Sequence, residues 1–214
     1  MLNLLIIITS TSNETKILDL LNKYKVKFNA LTHGVGTASK SLMNYFGINE
    51  SEKLITFSVL PKSNSKHILR YLKSRLKMPG KGIALTIPIS SSTKYMKDIY
   101  KKEELEDIKM EQSNKHLIIT IANEGFAEII MNAAKKAGAN GGTTINGRGL
   151  DTEKIVKFLG ISIEPEKDIV MILAGEDKKN AIMNEIVESC GIKTPGAGIC
   201  FSLPVENVVG LMND

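Results

Sequence analysis

The sequence predicts an α+β fold built twice, each half a β-α-β-β-α-β unit whose antiparallel sheet is covered by helices. Three observations predict it. Residues 4–60 align with residues 117–173 without a gap at a constant spacing of 113. Beyond three extra residues the spacing becomes 116, and Pro79-Gly80-Lys81-Gly82-Ile83 meets Pro195-Gly196-Ala197-Gly198-Ile199. Within each copy, apolar runs of strand type alternate with segments of helical period. Chance can match apolar runs, but it does not place glycines and prolines at fixed offsets inside them, so the chain is expected to be a tandem duplication.

Each copy opens on a strand, Leu4–Thr9 and Leu117–Ile121. A polar break follows at Ser10–Asn13 and Asn123–Gly125. Apolar residues then recur at helical spacing: Ile17, Leu20, Leu21 and Tyr24, and later Ile130, Ala133, Ala134 and Ala137. Gly138 suits a helix stop. A second extended segment leads into Gly34-Val35-Gly36 and Gly147-Arg148-Gly149.

After each Gly-x-Gly a short amphipathic helix is expected, with Leu42, Met43 and Phe46 or Ile155, Val156 and Leu159 on its apolar side. Strands follow at Leu54–Leu60 and Asp168–Leu173. The next helices carry Ile68, Leu69, Leu72 and Leu76, then Ile182, Met183, Ile186 and Cys190. A Pro-Gly-x-Gly turn introduces the last strands, Ile83–Ile87 and Ile199–Leu203. The plan is the ferredoxin-like split βαβ. The expected domains are 1–90 and 116–214, with 91–115 as a charged, partly helical and largely exposed linker.

Composition is that of a soluble globular protein, 43% hydrophobic and 24% charged, and no run approaches a membrane span. Cys190 and Cys200 have no cysteine counterparts in the first copy, which suggests buried thiols and a cytoplasmic setting. The net charge of +5 is unevenly distributed: residues 1–88 carry +9, 89–115 carry 0 and 116–214 carry −4. Differently solvated faces would give this pattern, and so would an anionic partner of the first copy.

Catalytic chemistry has no foothold. His33, His67 and His116 fall in different contexts without histidine counterparts, and there is no Cys-x-x-Cys, His-x-x-x-His or nucleophile elbow. The chain is therefore expected not to be an enzyme and to hold no metal. What recurs is glycine. A Gly-x-Gly at a strand end lets backbone N–H groups approach an anion, and the Pro-Gly-x-Gly turn is a second such place. An RNA-binding reading of the sheet fails on the absence of paired aromatics, since Phe57 stands alone on its strand.

These stretches resemble the P-II signal-transduction proteins, often called nitrogen regulatory proteins. The second copy carries most of the resemblance: Gly141 to Gly149, Glu164 to Val170, Pro195 to Ile199, and Pro204-Val205-Glu206-Asn207-Val208-Val209. It covers residues 116–211 and, more weakly, 3–90. The resemblance implies a trimer of ferredoxin-like domains that binds an adenine nucleotide (ATP, ADP or AMP) in clefts, with 2-oxoglutarate a weaker candidate. It also implies control of a partner protein, a membrane transporter or metabolic enzyme, and no nucleic-acid partner. The implied ligand-binding residues are Gly34, Gly36, Gly80, Lys81 and Gly82 in copy one. In copy two they are Gly147, Arg148, Gly149, Gly196, Ala197 and Gly198.

Some positions depart from the family pattern. Ile199 and Ile83 stand where a phosphate-facing lysine is expected, and Leu150 and Thr37 where an arginine is. Each cation lost removes a charge-assisted contact of about 1.5–3 kcal/mol. A P-II-like scaffold without a ligand is the alternative.

Overall fold

The computed structural model describes residues 1–37, 51–75, 82–101, 104–149, 156–158, 161–163 and 165–211. The architecture is α+β with antiparallel pairing, as the sequence predicts. Two compact units divide the chain. The first comprises residues 1–33, 52–114 and 204–214, and the second 34–51 and 115–203.

In the first unit, β1 (Leu2–Ser10) pairs antiparallel with β3 (Ser51–Pro61), in register from Leu2 opposite Pro61 to Ser10 opposite Lys53. Its other neighbour is β4 (Gly82–Pro88), with Leu5 opposite Thr86 and Ile7 opposite Ala84. β2 (Phe28–Gly36) lies beyond β3. A short 3-10 turn leads into α1 (Glu14–Lys23), which presents Ile17, Leu20 and Leu21 to the sheet. α2 (Lys62–Arg75) adds Ile68, Leu69 and Leu72 to the same core, packed over Leu5 and Ile7. Residue period 3.6 on the helices and 2 on the strands brings these side chains onto facing surfaces.

The linker is helical at α3 (Lys94–Tyr100), where the Thr93 hydroxyl accepts from the Met96 amide at 3.4 Å. It is more firmly attached than expected. Tyr100 is buried, donates its hydroxyl proton to the Val59 carbonyl at 2.7 Å and accepts from the Lys27 amide at 2.9 Å. Its ring meets Phe28 edge-on, 6.1 Å between centroids.

In the second unit, β5 (Lys115–Asn123) and β9 (Glu166–Gly175) form the longest ladder, with Leu117 opposite Leu173 and Ile121 opposite Ile169. β6 (Thr143–Arg148) lies beyond β9 and β10 (Ile199–Pro204) beyond β5. Val35 and Gly36 pair with Thr144 and Thr143. α4 (Ala127–Lys136) and α5 (Glu176–Cys190) cover one face with Ile130, Ala134, Ile182 and Ile186. Both ends of α1 and α4 lie 113 residues apart. Gly138 closes α4 at φ +93°, a conformation that favours glycine.

One expected element is corrected. Val156 does not lie on a helix: β7 (Val156–Phe158) and β8 (Ile161–Ile163) form a small antiparallel hairpin, with Val156 opposite Ile163. Apolar spacing over so short a segment fits either period. The helix expected around Leu42, Met43 and Phe46 lies outside the described residues.

After β10 the chain returns to the first unit. β11 (Asn207–Val209) leaves the second unit and pairs antiparallel with β4, with Asn207 opposite Thr86 and Val209 opposite Ala84. Val205 and Val209 are buried there. The Glu206 amide donates to the Thr86 carbonyl at 2.8 Å, and the Asn207 amide to the Thr86 hydroxyl at 3.2 Å. Glu206 forms an ion pair with Lys62, and its other oxygen accepts from Asn3 at 2.9 Å. Burial alone would raise the Glu206 carboxyl; hydrogen bonds from Lys62 and Asn3 and the charges of Lys62 and Lys66 outweigh it and hold it below its ordinary range.

Candidate functional site

One corner of the second unit gathers the residues the glycine pattern singles out. Gly147, near the end of β6, stands opposite Lys167 of β9, and Arg148 opposite Glu166. The Gly149 amide donates to the Pro165 carbonyl at 2.8 Å. A side chain at Gly149 would meet the Lys167 stem at 3.1 Å, so glycine here lets β9's lysine lie across the strand end.

Lys167 carries the connection further. Its ammonium donates to the Asn123 side-chain oxygen at 2.7 Å, and the Asn123 side-chain nitrogen donates to the Pro195 carbonyl at 2.9 Å. The Asn123 amide donates to the Gly196 carbonyl at 2.9 Å. Lys167 and Asn123 thus link Gly147–Gly149 to the Pro195–Gly198 turn. That turn is tight: a side chain at Gly196 would fall 2.3 Å from the Cys190 sulfur, and one at Gly198 would fall 2.3 Å from the Cys190 carbonyl. Ala197 sits at φ +44° and its amide donates to the Thr194 carbonyl, while that of Gly198 donates to Cys190.

The corner's electrostatics are mixed. Lys167 and the exposed Arg148 supply positive charge, set against Glu124, Glu166 and Asp168. The Glu166 carboxylate raises the Glu124 carboxyl above its ordinary value, aided by desolvation and by Asp168. Asp168 is only 5% exposed and has a structural partner: its carboxylate accepts from the Ala127 amide at 2.8 Å, at the first residue of α4. A carboxylate there satisfies an open helix donor and faces the positive end of the helix.

The remaining sites expected from the sequence are dispersed. Gly34 and Gly36 end β2 in the second unit. Thr37, where an arginine was expected, directs its hydroxyl to Gly142, accepting from the amide at 3.0 Å and donating to the carbonyl at 3.0 Å. Gly82 begins β4 in the first unit, and Gly80 and Lys81 lie outside the described residues. Asn123, Lys167 and Asp168 were not singled out from the sequence. Lys167 lies within the quoted stretch Glu164–Val170, the one signal that could have found it.

Among the described residues no group of three or more His, Cys, Asp or Glu side chains is placed to hold a metal ion. Cys190 is buried and Cys200 half-buried, and burial raises both thiols. No helix among the described residues is long and apolar enough to cross a membrane, which leaves strand-built barrels aside.

Comparison with protein-family models gave no match, and comparison with curated proteins gave none. Among solved structures, a PII from Arabidopsis thaliana bound to citrate is 24% identical over 44% of this chain and 76% of its own, with a TM-score of 0.33. A B. subtilis GlnK-ATP complex is 17% identical over 46% of this chain and 83% of its own, with a TM-score of 0.32. An anthrone oxidase-like protein is 10% identical over 97% of this chain and 92% of its own, with a TM-score of 0.24.

Proposed function

We propose that this chain is a P-II-like regulatory protein, not an enzyme, whose second unit takes a small anionic effector, an adenine nucleotide before 2-oxoglutarate. The carrying observation is the corner itself: Gly147–Gly149 and the Pro195–Gly198 turn meet at Lys167 and Asn123. A cation over two glycine-shaped backbone turns suits a phosphate. The P-II-like motifs in those stretches support the same reading. Occupancy would be passed to a regulated partner protein, a transporter or metabolic enzyme.

The same proposal includes two P-II-like copies at 1–90 and 116–214, a homo-oligomer of trimer type and a cytoplasmic location. Calorimetric titration of the chain with ATP, ADP, AMP, cyclic nucleotides and 2-oxoglutarate tests the effector. Binding that weakens at least tenfold in Lys167→Ala supports it; no heat with any compound removes it.

A second reading has its own observation. The amides of Gly149, Ala197 and Gly198 already donate within the chain, and three carboxylates surround the corner. A P-II-like interaction scaffold without an effector fits this, and it would hold its partner equally tightly with or without nucleotide.

A further inference from the structure

Beyond α3 the chain runs from residue 104 to 114 without helix or strand, yet it is fastened to α2 residue by residue. The Leu105 amide donates to the Asn64 side-chain oxygen at 2.9 Å. The Lys66 ammonium donates to both Asp107 oxygens, at 2.8 and 3.0 Å. The His67 ring donates Nε2–H to the Glu106 carbonyl at 2.9 Å, and the Arg70 guanidinium donates to the Lys109 carbonyl at 3.3 Å. Three of these four anchors use the strap's main chain; one uses a side chain, and that side chain is an acid. The Lys66 hydrogen bond holds the Asp107 carboxyl below its ordinary range.

This is the pattern by which a protein surface recognises an extended peptide: main-chain bonds for affinity, one or two side chains for choice. The strap buries little in return. Residues 104–107, 109 and 111 are exposed, and the half-buried Met110 packs against the first unit's core. Segments that bury few apolar side chains open at low free energy. α2, by contrast, keeps Asn64 buried and Lys66 only 8% exposed. With the strap in place Lys66 is paired to an acid, and an incoming acid would restore that pairing on the vacated face, so the face favours an acid.

We propose that this face of α2 is a docking groove for an extended acidic segment of a partner protein, occupied in the structure by residues 105–109 of the chain itself. The strap then acts as a competitor in cis: a partner binds only by displacing it, and the displaced linker is free to move. The positive charge of residues 1–88 favours an acidic partner. The groove does not depend on the effector reading, and the test uses no nucleotide, so either idea can fail alone.

The test is fluorescence anisotropy with a labelled peptide of residues 104–113, titrated with the full chain and with its Asp107→Lys variant. A peptide carrying the same Asp107→Lys change serves as control. The variant chain is expected to bind the natural peptide at least tenfold more tightly than the unmodified chain, and to bind the control peptide at least tenfold more weakly. Equal affinity for both chains, no binding to either, or equal binding of both peptides would overturn the proposal. Native-state hydrogen exchange provides the second arm and requires no variant. The Leu105 amide is expected to exchange at least a hundredfold faster than the amides of β1; exchange only together with β1 would make the strap part of the core and end the idea.

Discussion

β4 and β10 each follow a helix and lie 116 residues apart in the chain, and their surroundings differ. Leu85 on β4 is 0% exposed, whereas Phe201 at the same place on β10 is 39% exposed; Ile199 beside it is 50% exposed. The cause is β11. It lies along β4, supplying a neighbour, two buried valines and the Glu206 ion pair, whereas β10 has β5 as its one strand neighbour among the described residues. Two strands of similar sequence therefore have different worth. What a residue contributes is set by whether another segment reaches it, not by its strand's sequence alone.

Removing residues 205–214 tests that contrast most severely. Losing the burial of Val205 and Val209 should destabilise the first unit by about 3–6 kcal/mol. Hydrogen exchange should quicken in β1 and β4 while β5 and β9 keep their protection; equal loss in both would break the comparison. Next in size is a matched pair. Leu85→Ala should cost about 2–5 kcal/mol in chemical denaturation, the usual range for a buried leucine. Phe201→Ala should cost roughly 1 kcal/mol or less because much of the ring is already in water.

Gly210 sharpens the contrast from the covering side. It sits at φ +96°, and a side chain there would meet the Gly82 carbonyl at 2.1 Å. Gly210→Ala should lower stability by about 1–3 kcal/mol, seen as a reduced denaturation midpoint. The second unit has its own local dependence. Asp168→Ala removes the acceptor at the start of α4 and should cost about 0.5–2 kcal/mol, with faster exchange at Ala127.

The smallest expected effect is one of pH. The Glu206 carboxyl is held below its ordinary value, so its contribution is complete above the unfolded value of about 4.3 and is lost as pH falls through the lower folded value. Denaturation of Glu206→Gln should therefore show a flatter pH dependence below about pH 4.3 than the unmodified chain. Parallel curves would show that the carboxylate does not hold β11.

The order of helices and strands was legible because helix and strand periods are local. α1 and α4, with their apolar residues at i, i+3 and i+4, need no information from elsewhere. The glycines of the candidate corner were legible for a similar reason: each marks a backbone shape. The cross-links were not. Lys66 sits among Ser63, Asn64 and Ser65 and looks like a solvated helix start, until Asp107, 41 residues on, supplies its partner. Asn207 looks like the end of its own copy, although its side chain donates to the Glu111 carbonyl 96 residues earlier. Lys167 reads as an outward charge unless Asn123 and Pro195 are already placed beside it. Contacts of that separation have no signature in a single chain, and they decide which polar residues are buried.

The path of β11 has a consequence for synthesis. Every residue of the second unit is translated before residue 207, so the first unit waits through that interval with β4 bare along one side. Domains that emerge early usually fold early. Here the first unit's strand set can be completed only after the second unit has been made, which leaves the open edge of β4 exposed to wrong strand pairing throughout synthesis of the second unit.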